Sequence, residues 1–314
     1  MREKLFFLIF IFFFLINSSE AKIDKYKRGD LISGEIKLNN KKSIYLPEGN
    51  WEVYYRSTEH FAGMLFNVLS LGKIENNEII EFVEIGYSNL AGMHIMYVDP
   101  AINEVIFEDK NDGCYDRSEY YILELYRNGS THNCFIISHI DVNKELNNPD
   151  EKFNTGYLSP LKNFINNNDG AKLPNIMLQS IHSYFSRTTG GDWFLLQYLI
   201  DPKKLDAPKN NFFSEDTSEY HKYNIERYPD HKKIMDKWIS ISAIRHQELE
   251  QLAKSKSIYR LNLDRYILNG TKNNISKKKI EKNLSNQLKD LNDLFKSGVL
   301  TKSEFEKAKK KILD

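Results

Sequence analysis

The chain is 314 residues long, with 44 Lys and Arg against 43 Asp and Glu, a net charge of +1. That balance leaves no electrostatic footprint for nucleic acid or for an acidic membrane surface. Aromatic residues make up 13% of the chain, which argues for a packed core rather than a disordered polymer.

The N-terminus has the layout of a secretory signal peptide. Arg2 and Lys4 form a charged start, Leu5 to Ile16 is an unbroken apolar run, and Ser19 and Ala21 put small residues before Lys22. The run is too short for a comfortable membrane span, and no Cys follows it to carry a lipoprotein anchor. Residues 1–21 are therefore expected to direct export. An uncleaved N-terminal anchor is the alternative, and no other membrane association is expected.

Lys22 to Asn50 holds short strand-like pieces broken by Gly29, Gly34 and Asn39–Asn40. Trp51 to Arg56 is predicted as a strand, introduced by Leu46–Pro47–Glu48–Gly49. The Leu46–Val53 stretch, Leu-Pro-x-Gly-x-Trp-x-Val, resembles the openings of uncharacterised exported bacterial β domains. Glu78 to Gly86 alternates as a strand does, with Gly92 to Val98 as its neighbour and a turn at Asp99–Pro100 and Asn103. Tyr120 to Arg127 and His132 to Ile140 flank Asn128–Gly129, the composition of a tight hairpin turn. Turning at Asn128–Gly129 would set Cys134 opposite Leu123.

Cys114 and Cys134 are the only two cysteines. In an oxidising compartment one bridge is expected, with two separate buried thiols as the alternative. A bridge would close a loop of about twenty residues and contribute on the order of 3 kcal/mol.

Asp141 to Asp150 is polar and predicted as a loop. Ser159–Pro160 opens a short helix, which Asn166 to Gly170 ends. Ile176 to Arg187 and Trp193 to Asp201 are predicted as strands around Thr188 to Asp192, although Ile176 to Phe185 also admits a helix. Asp206 to Ser218 is a loop. From Pro229 to about Lys256 the period turns helical, with Ile234, Trp238, Ile241, Ile244, Leu249 and Leu252 on one broad face. Leu268 to Lys279 is a polar linker.

Motifs for chemistry are few. There is no Gly-rich phosphate loop, no Gly-x-Ser-x-Gly elbow, no Cys-x-x-Cys and no His-Glu-x-x-His. No cofactor and no metal is expected. His132 and His139 lie near Cys134, where ordinary hairpin contacts outweigh a metal site. His221, His231 and His246 are expected at surface or boundary positions. The one cluster singled out is His182, Arg187, Asp192 and Trp193, with Ser180 and Tyr184 on the face of His182. Three readings stay open there: a Ser–His–Asp arrangement, a polar pocket lined by aromatics, and simple hairpin structure.

The C-terminal stretch is the best specified. Leu284, Leu288, Leu291, Leu294 and Phe295 form one helical stripe. Gly298 supplies a left-handed stop, with Val299 folding back on Leu294. Thr301 to Glu304 is a capping box flanked by Leu300 and Phe305 as a hydrophobic staple. Phe305, Ala308, Ile312 and Leu313 then line a second helix whose lysines face water. This pattern, Gly298–Val299–Leu300–Thr301, Glu304–Phe305 and Lys309–Ile312–Leu313, resembles the bacterial short C-terminal domain family, SHOCT. The resemblance covers about a tenth of the chain and implies an interaction or oligomerisation element without catalytic residues. Leu288, Leu291, Leu294, Phe295, Gly298, Leu300, Phe305 and Ile312 would carry the contact. Two helices this short bury too little to stand alone, so the stripe must dock on its own chain, a second copy or a protein partner. Together with the N-terminus, the resemblance places the protein in the periplasm or outside the cell.

The predicted fold is α+β: an antiparallel sheet or small β-sandwich, then a long helix, then a C-terminal helical hairpin. The expected organisation is a signal peptide at 1–21, a β-rich domain at 22–202, a helical extension packed on it at 203–267, a linker at 268–283 and the hairpin at 284–314. The expected function is that of an exported, non-catalytic protein that associates through 284–314. A periplasmic hydrolase or small-molecule binder using the His182–Asp192 region is the alternative.

Overall fold

Alternating and β-branched runs build the main element of the protein, an eight-stranded sheet. The structure, a computed structural model, describes residues 22–61, 64–88, 114, 120–128, 131–147, 158–168, 170–186, 192–210, 214–263, 302, 305 and 306. The chain divides into two units, Met1–Asp264 and Arg265–Asp314.

In the first unit the strands are β1 (Leu31–Ile32), β2 (Glu35–Lys37), β3 (Lys42–Tyr45), β4 (Trp51–Phe61), β5 (Met64–Glu75), β6 (Glu78–Ser88), β7 (Ile122–Asn128), β8 (Thr131–Asp141), β9 (Ile176–Ser186), β10 (Trp193–Ile200) and β11 (Tyr259–Asn262). The α-helices are α1 (Val142–Asn147), α2 (Leu158–Asn167) and α3 (Pro229–Lys254). The large sheet has the order β1-β4-β5-β6-β10-β9-β8-β7, and its pairings are antiparallel. The small sheet has the order β11-β3-β2, and β11 runs parallel to β3.

Two of the hairpins explain themselves locally. β5 and β6 are joined by Asn76 and Asn77, both left-handed at φ 51° and 62°. Asn tolerates that region better than most residues, and such a pair matches the twist of the strands. β7 and β8 pair with Asn128 opposite Thr131 and Leu125 opposite Cys134. Cys134 therefore faces Leu125, two places from the Leu123 expected for a turn at Asn128–Gly129; Gly129 itself lies outside the described residues. Asn-Gly and Gly-Ser are both compositions of tight turns, so composition alone did not choose the register.

Each face of the sheet has its own cover. α3 starts at Pro229 and buries Ile234, Trp238, Ile241, Arg245, Leu249 and Leu252 in one stripe. That stripe lies on the face carrying Phe135, His182, Leu196, Ile85 and Leu69, which are in line across five strands. The Trp238 and Tyr198 rings lie 5.7 Å apart, and the Trp238 indole donates to the Gln179 carbonyl at 3.2 Å. The other face packs Tyr54, Phe82, Met177 and Leu199 against Val142 and Leu146 of α1 and Phe164 of α2. The Phe164 ring sits directly over Gly72, where a Cβ would come within 2.6 Å of it.

Cys114 and Cys134 form a disulfide with a Cα–Cα distance of 6.1 Å. Both are fully buried in a small cluster with Tyr120 and Ile136.

The α+β class and the large antiparallel sheet with one main helix match the sequence expectation, in preference to a sandwich. Ile176–Ser186 is a strand, not a helix. The stretch Asp141 to Asp150, expected as a loop, contains α1. The signal segment 1–21, the Gly92–Val98 strand with its turn at Asp99–Pro100 and Asn103, and the linker 268–283 lie outside the described residues. So does the helical hairpin at 284–314 apart from Lys302, Phe305 and Glu306, which are helical. Among the described residues, no helix is long and apolar enough to cross a membrane.

Candidate functional site

Strand alternation divides the His182 cluster between the two faces of the sheet. β9 and β10 pair Tyr184 with Phe194, His182 with Leu196 and Ser180 with Tyr198. Ser180, His182 and Tyr184 therefore share the face under α3, as their spacing predicts. Trp193 points to the opposite face. There its indole donates to Ser183 Oγ at 3.3 Å and its ring lies 4.9 Å from Phe66. Arg187 lies outside the described residues.

Asp192 does not partner His182. Its Oδ2 accepts from Lys42 Nζ at 2.5 Å, and that ammonium also donates to the Ala253 carbonyl at 3.0 Å. Both side chains are buried. Burial raises the Asp192 pKa, while Lys42 and the Tyr87 hydroxyl pull it down. The pair ties β3 and the end of α3 to the start of β10.

His182 instead belongs to a stack. Its ring lies 5.2 Å from Phe135 and 5.5 Å from His246 of α3, with interplanar angles of 18° and 24°. Phe135 and His246 are 5.1 Å apart. His182 Nε2 shares a hydrogen bond with Ser180 Oγ at 3.1 Å, and His246 Nε2 donates to Asn133 Oδ1 at 2.6 Å. The Nδ1 atoms of both rings are buried without a hydrogen-bond partner. Burial, then the charges of His246 and Arg245, hold the His182 pKa well below the usual imidazole range. Burial lowers His246 to about 4, with Glu250 opposing. Both rings are therefore neutral at pH 7.

The chemistry of this arrangement differs from a hydrolytic triad. A triad needs a carboxylate on the histidine Nδ1 to fix its tautomer and to stabilise the imidazolium. Here no carboxylate reaches Nδ1, and Ser180 and His182 are fully buried. The histidines expected at surface or boundary positions, His221, His231 and His246, are all buried. Among the described residues, no group of three or more His, Cys, Asp or Glu could hold a metal ion.

Sequence reasoning missed a second polar cluster beside the stack. Lys73 and Glu81 pair across β5 and β6, with Nζ 3.3 Å from Oε2. Tyr198 donates to Glu81 Oε1 at 2.7 Å. The Arg245 guanidinium lies 4.1 Å over the Tyr198 ring and 5.4 Å over Trp238, within cation–π range. Burial acts to lower the Lys73 pKa, but Glu81 and Glu75 together reverse this and raise it. Burial, then Glu81, raises Tyr198 well above its ordinary value. One signal pointed here, a basic residue on the apolar stripe of α3; Lys73 meets Glu81 only through a register shift between Lys73 and Ile74.

The C-terminal segment is where known proteins meet this chain. Residues 286–313 match the SHOCT family, the short C-terminal domain. No curated protein and no solved structure matches the chain. Leu288, Leu291, Leu294, Phe295, Gly298, Leu300, Phe305 and Ile312 all fall within the SHOCT match. Of these, Phe305 is a described residue, helical and half-buried, next to an exposed Glu306.

Proposed function

We propose that this is an exported, non-catalytic protein whose β-sheet domain carries a SHOCT segment for association with a second copy or a protein partner. The SHOCT match at 286–313 carries the reading. Its two short apolar stripes bury too little surface to be stable alone. Association through Leu288, Leu291, Leu294, Phe295, Leu300, Phe305 and Ile312 would satisfy them.

The first unit supports the non-catalytic part. Asp192 is committed to Lys42, and His182 is enclosed between Phe135 and His246. The alternative of a hydrolase or small-molecule binder using this region has less behind it for that reason. Export to the periplasm or the exterior is supported by the layout of residues 1–21 and by the Cys114–Cys134 disulfide, which suits an oxidising compartment.

Light scattering after size exclusion, on the chain from Lys22 with and without residues 280–314, tests the association. The longer form is expected to run as an oligomer and the shorter as a monomer. An identical mass for both removes self-association through SHOCT.

A further inference from the structure

The sheet and the long helix are joined at one place by two stacked, uncharged histidines, and this contact has a consequence for how the domain responds to acid. His182 comes from β9 and His246 from α3, with Phe135 of β8 completing a triangle of rings. His246 spends its Nε2 proton on Asn133, so any further proton must go to Nδ1, which faces no acceptor. His182 has the same bare Nδ1. We propose that His182 and His246 form an acid-sensitive latch, which holds α3 and β11 on the sheet at neutral pH and releases them when either ring is protonated.

The groups around the stack favour release. From α3, Arg245 is a fully buried positive charge that acts on His182, and Glu250 is the counter-charge that acts on His246 but is already paired with Lys254. From β9, Tyr184 lies under the Lys254 ammonium, 5.3 Å from its ring centre. From β10, the Tyr198 hydroxyl is turned to Glu81, and Glu81 is held by Lys73. From β8, His139 faces His221 rather than the stack. A proton on His182 would thus meet the charges of Arg245 and His246, and a proton on His246 would be buried with Glu250 already committed to Lys254. Opening the contact lets water solvate both rings.

The motion reaches β11 through hydrogen bonds. Arg245 Nη2 donates to the Leu263 carbonyl at 2.6 Å, and Lys42 of β3 donates to the Ala253 carbonyl near the end of α3. Lifting α3 at His246 therefore strains the seat of β11. β4, β5 and β6 have their own core on the opposite face and need not follow.

Because the folded rings bind protons less readily than the unfolded ones, stability is present at neutral pH and falls as pH drops below about 6.5. For His246 alone, a folded value of about 4 corresponds to a roughly 30-fold loss of the closed state at pH 5.

Hydrogen exchange on the full chain, corrected for intrinsic rates, reads this directly at about pH 7.5 and about pH 5. The expected result is a rise of roughly 30-fold or more in the opening of residues 229–263, with β4 to β6 unchanged. The variant H182Q/H246Q, which keeps hydrogen-bonding side chains that do not titrate, is expected to lose the response. H139Q, which removes a buried histidine outside the stack, is expected to keep it. Equal protection of α3 at both pH values, opening of all strands together, or loss of the response in H139Q would each overturn the latch. If H182Q/H246Q does not fold, the wild-type difference between α3 and β4–β6 decides the matter alone.

Discussion

Arg245 and Leu263 are joined by a 2.6 Å hydrogen bond from the guanidinium to the backbone carbonyl, inside the protein. Arg245 is fully buried, stacked on Tyr198 and Trp238. A long helix thereby grips the last residue of the first unit that the structure describes. Arg245→Met keeps the bulk but removes the donor and the charge, leaving the Leu263 carbonyl unpaired. It is expected to destabilise the domain by about 2–4 kcal/mol. A lower urea midpoint at unchanged slope is the measurement, and a midpoint equal to wild type would show the grip to be idle.

Lys73 and Glu81 are expected to depend on each other. Glu81→Gln keeps an acceptor for Tyr198 but removes the buried one of the two carboxylates on the Lys73 ammonium, leaving the exposed Glu75 at 2.9 Å. The expected loss is about 3–5 kcal/mol, whereas K73M/E81L, which removes both charges, should lose less than either single variant. A double-mutant cycle by chemical unfolding gives the coupling. Additive losses would mean that the two charges are stabilised separately.

The Cys114–Cys134 bridge closes a loop with a sequence separation of 20. C114A/C134A is expected to lose on the order of 3 kcal/mol. Thiol labelling of the unreduced, unfolded protein should add no mass, and a label on either cysteine would contradict the bridge.

Gly72 is required by the ring above it. Gly72→Ala puts a methyl within 2.6 Å of Phe164 and is expected to cost about 1–3 kcal/mol by overpacking. In G72A/F164L the two losses should sum to less than their separate values. Thermal unfolding of the four proteins measures this, and strict additivity would place the clash elsewhere.

Stability should also carry the signature of the depressed His246. Its folded pKa of about 4 lies below the ordinary value of 6.5, so the unfolded chain takes up the proton first as pH falls. Stability is full above about pH 6.5 and is lost downward, by about 2 kcal/mol at pH 5. H246Q should flatten this part of the urea-midpoint profile. A profile of the same slope in H246Q would assign the effect to another group.

What could be read from the chain follows how local each cause is. β10 and α3 announce themselves by period, whereas β9 also admitted a helix; once it is a strand, the face shared by Ser180, His182 and Tyr184 follows from alternation. β5 is buried on both sides, Leu69, Ser70, Leu71, Gly72 and Lys73 in succession, and the polar Ser70 and Lys73 among them do not announce that burial. The pairing of Asp192 with Lys42 spans 150 residues and leaves no local trace. His246 sits on a helix whose buried stripe is wider than the apolar residues suggest, since Ser242, Arg245 and His246 are part of it. The SHOCT match at 286–313 was legible because the residues that carry the resemblance are close neighbours in sequence.

The parallel seat of β11 on β3 orders the birth of the domain. Lys42 and Ala253, which hydrogen-bond beside that seat, are 211 residues apart. During synthesis β3 emerges early, and one of its edges has no partner until the chain beyond α3 has followed. Closure of the small sheet is thus among the last events of assembly, a non-local contact of the slow kind. A chain stopped after α3 would retain the strands of the large sheet yet expose the edge of β3, the kind of surface on which other strands add.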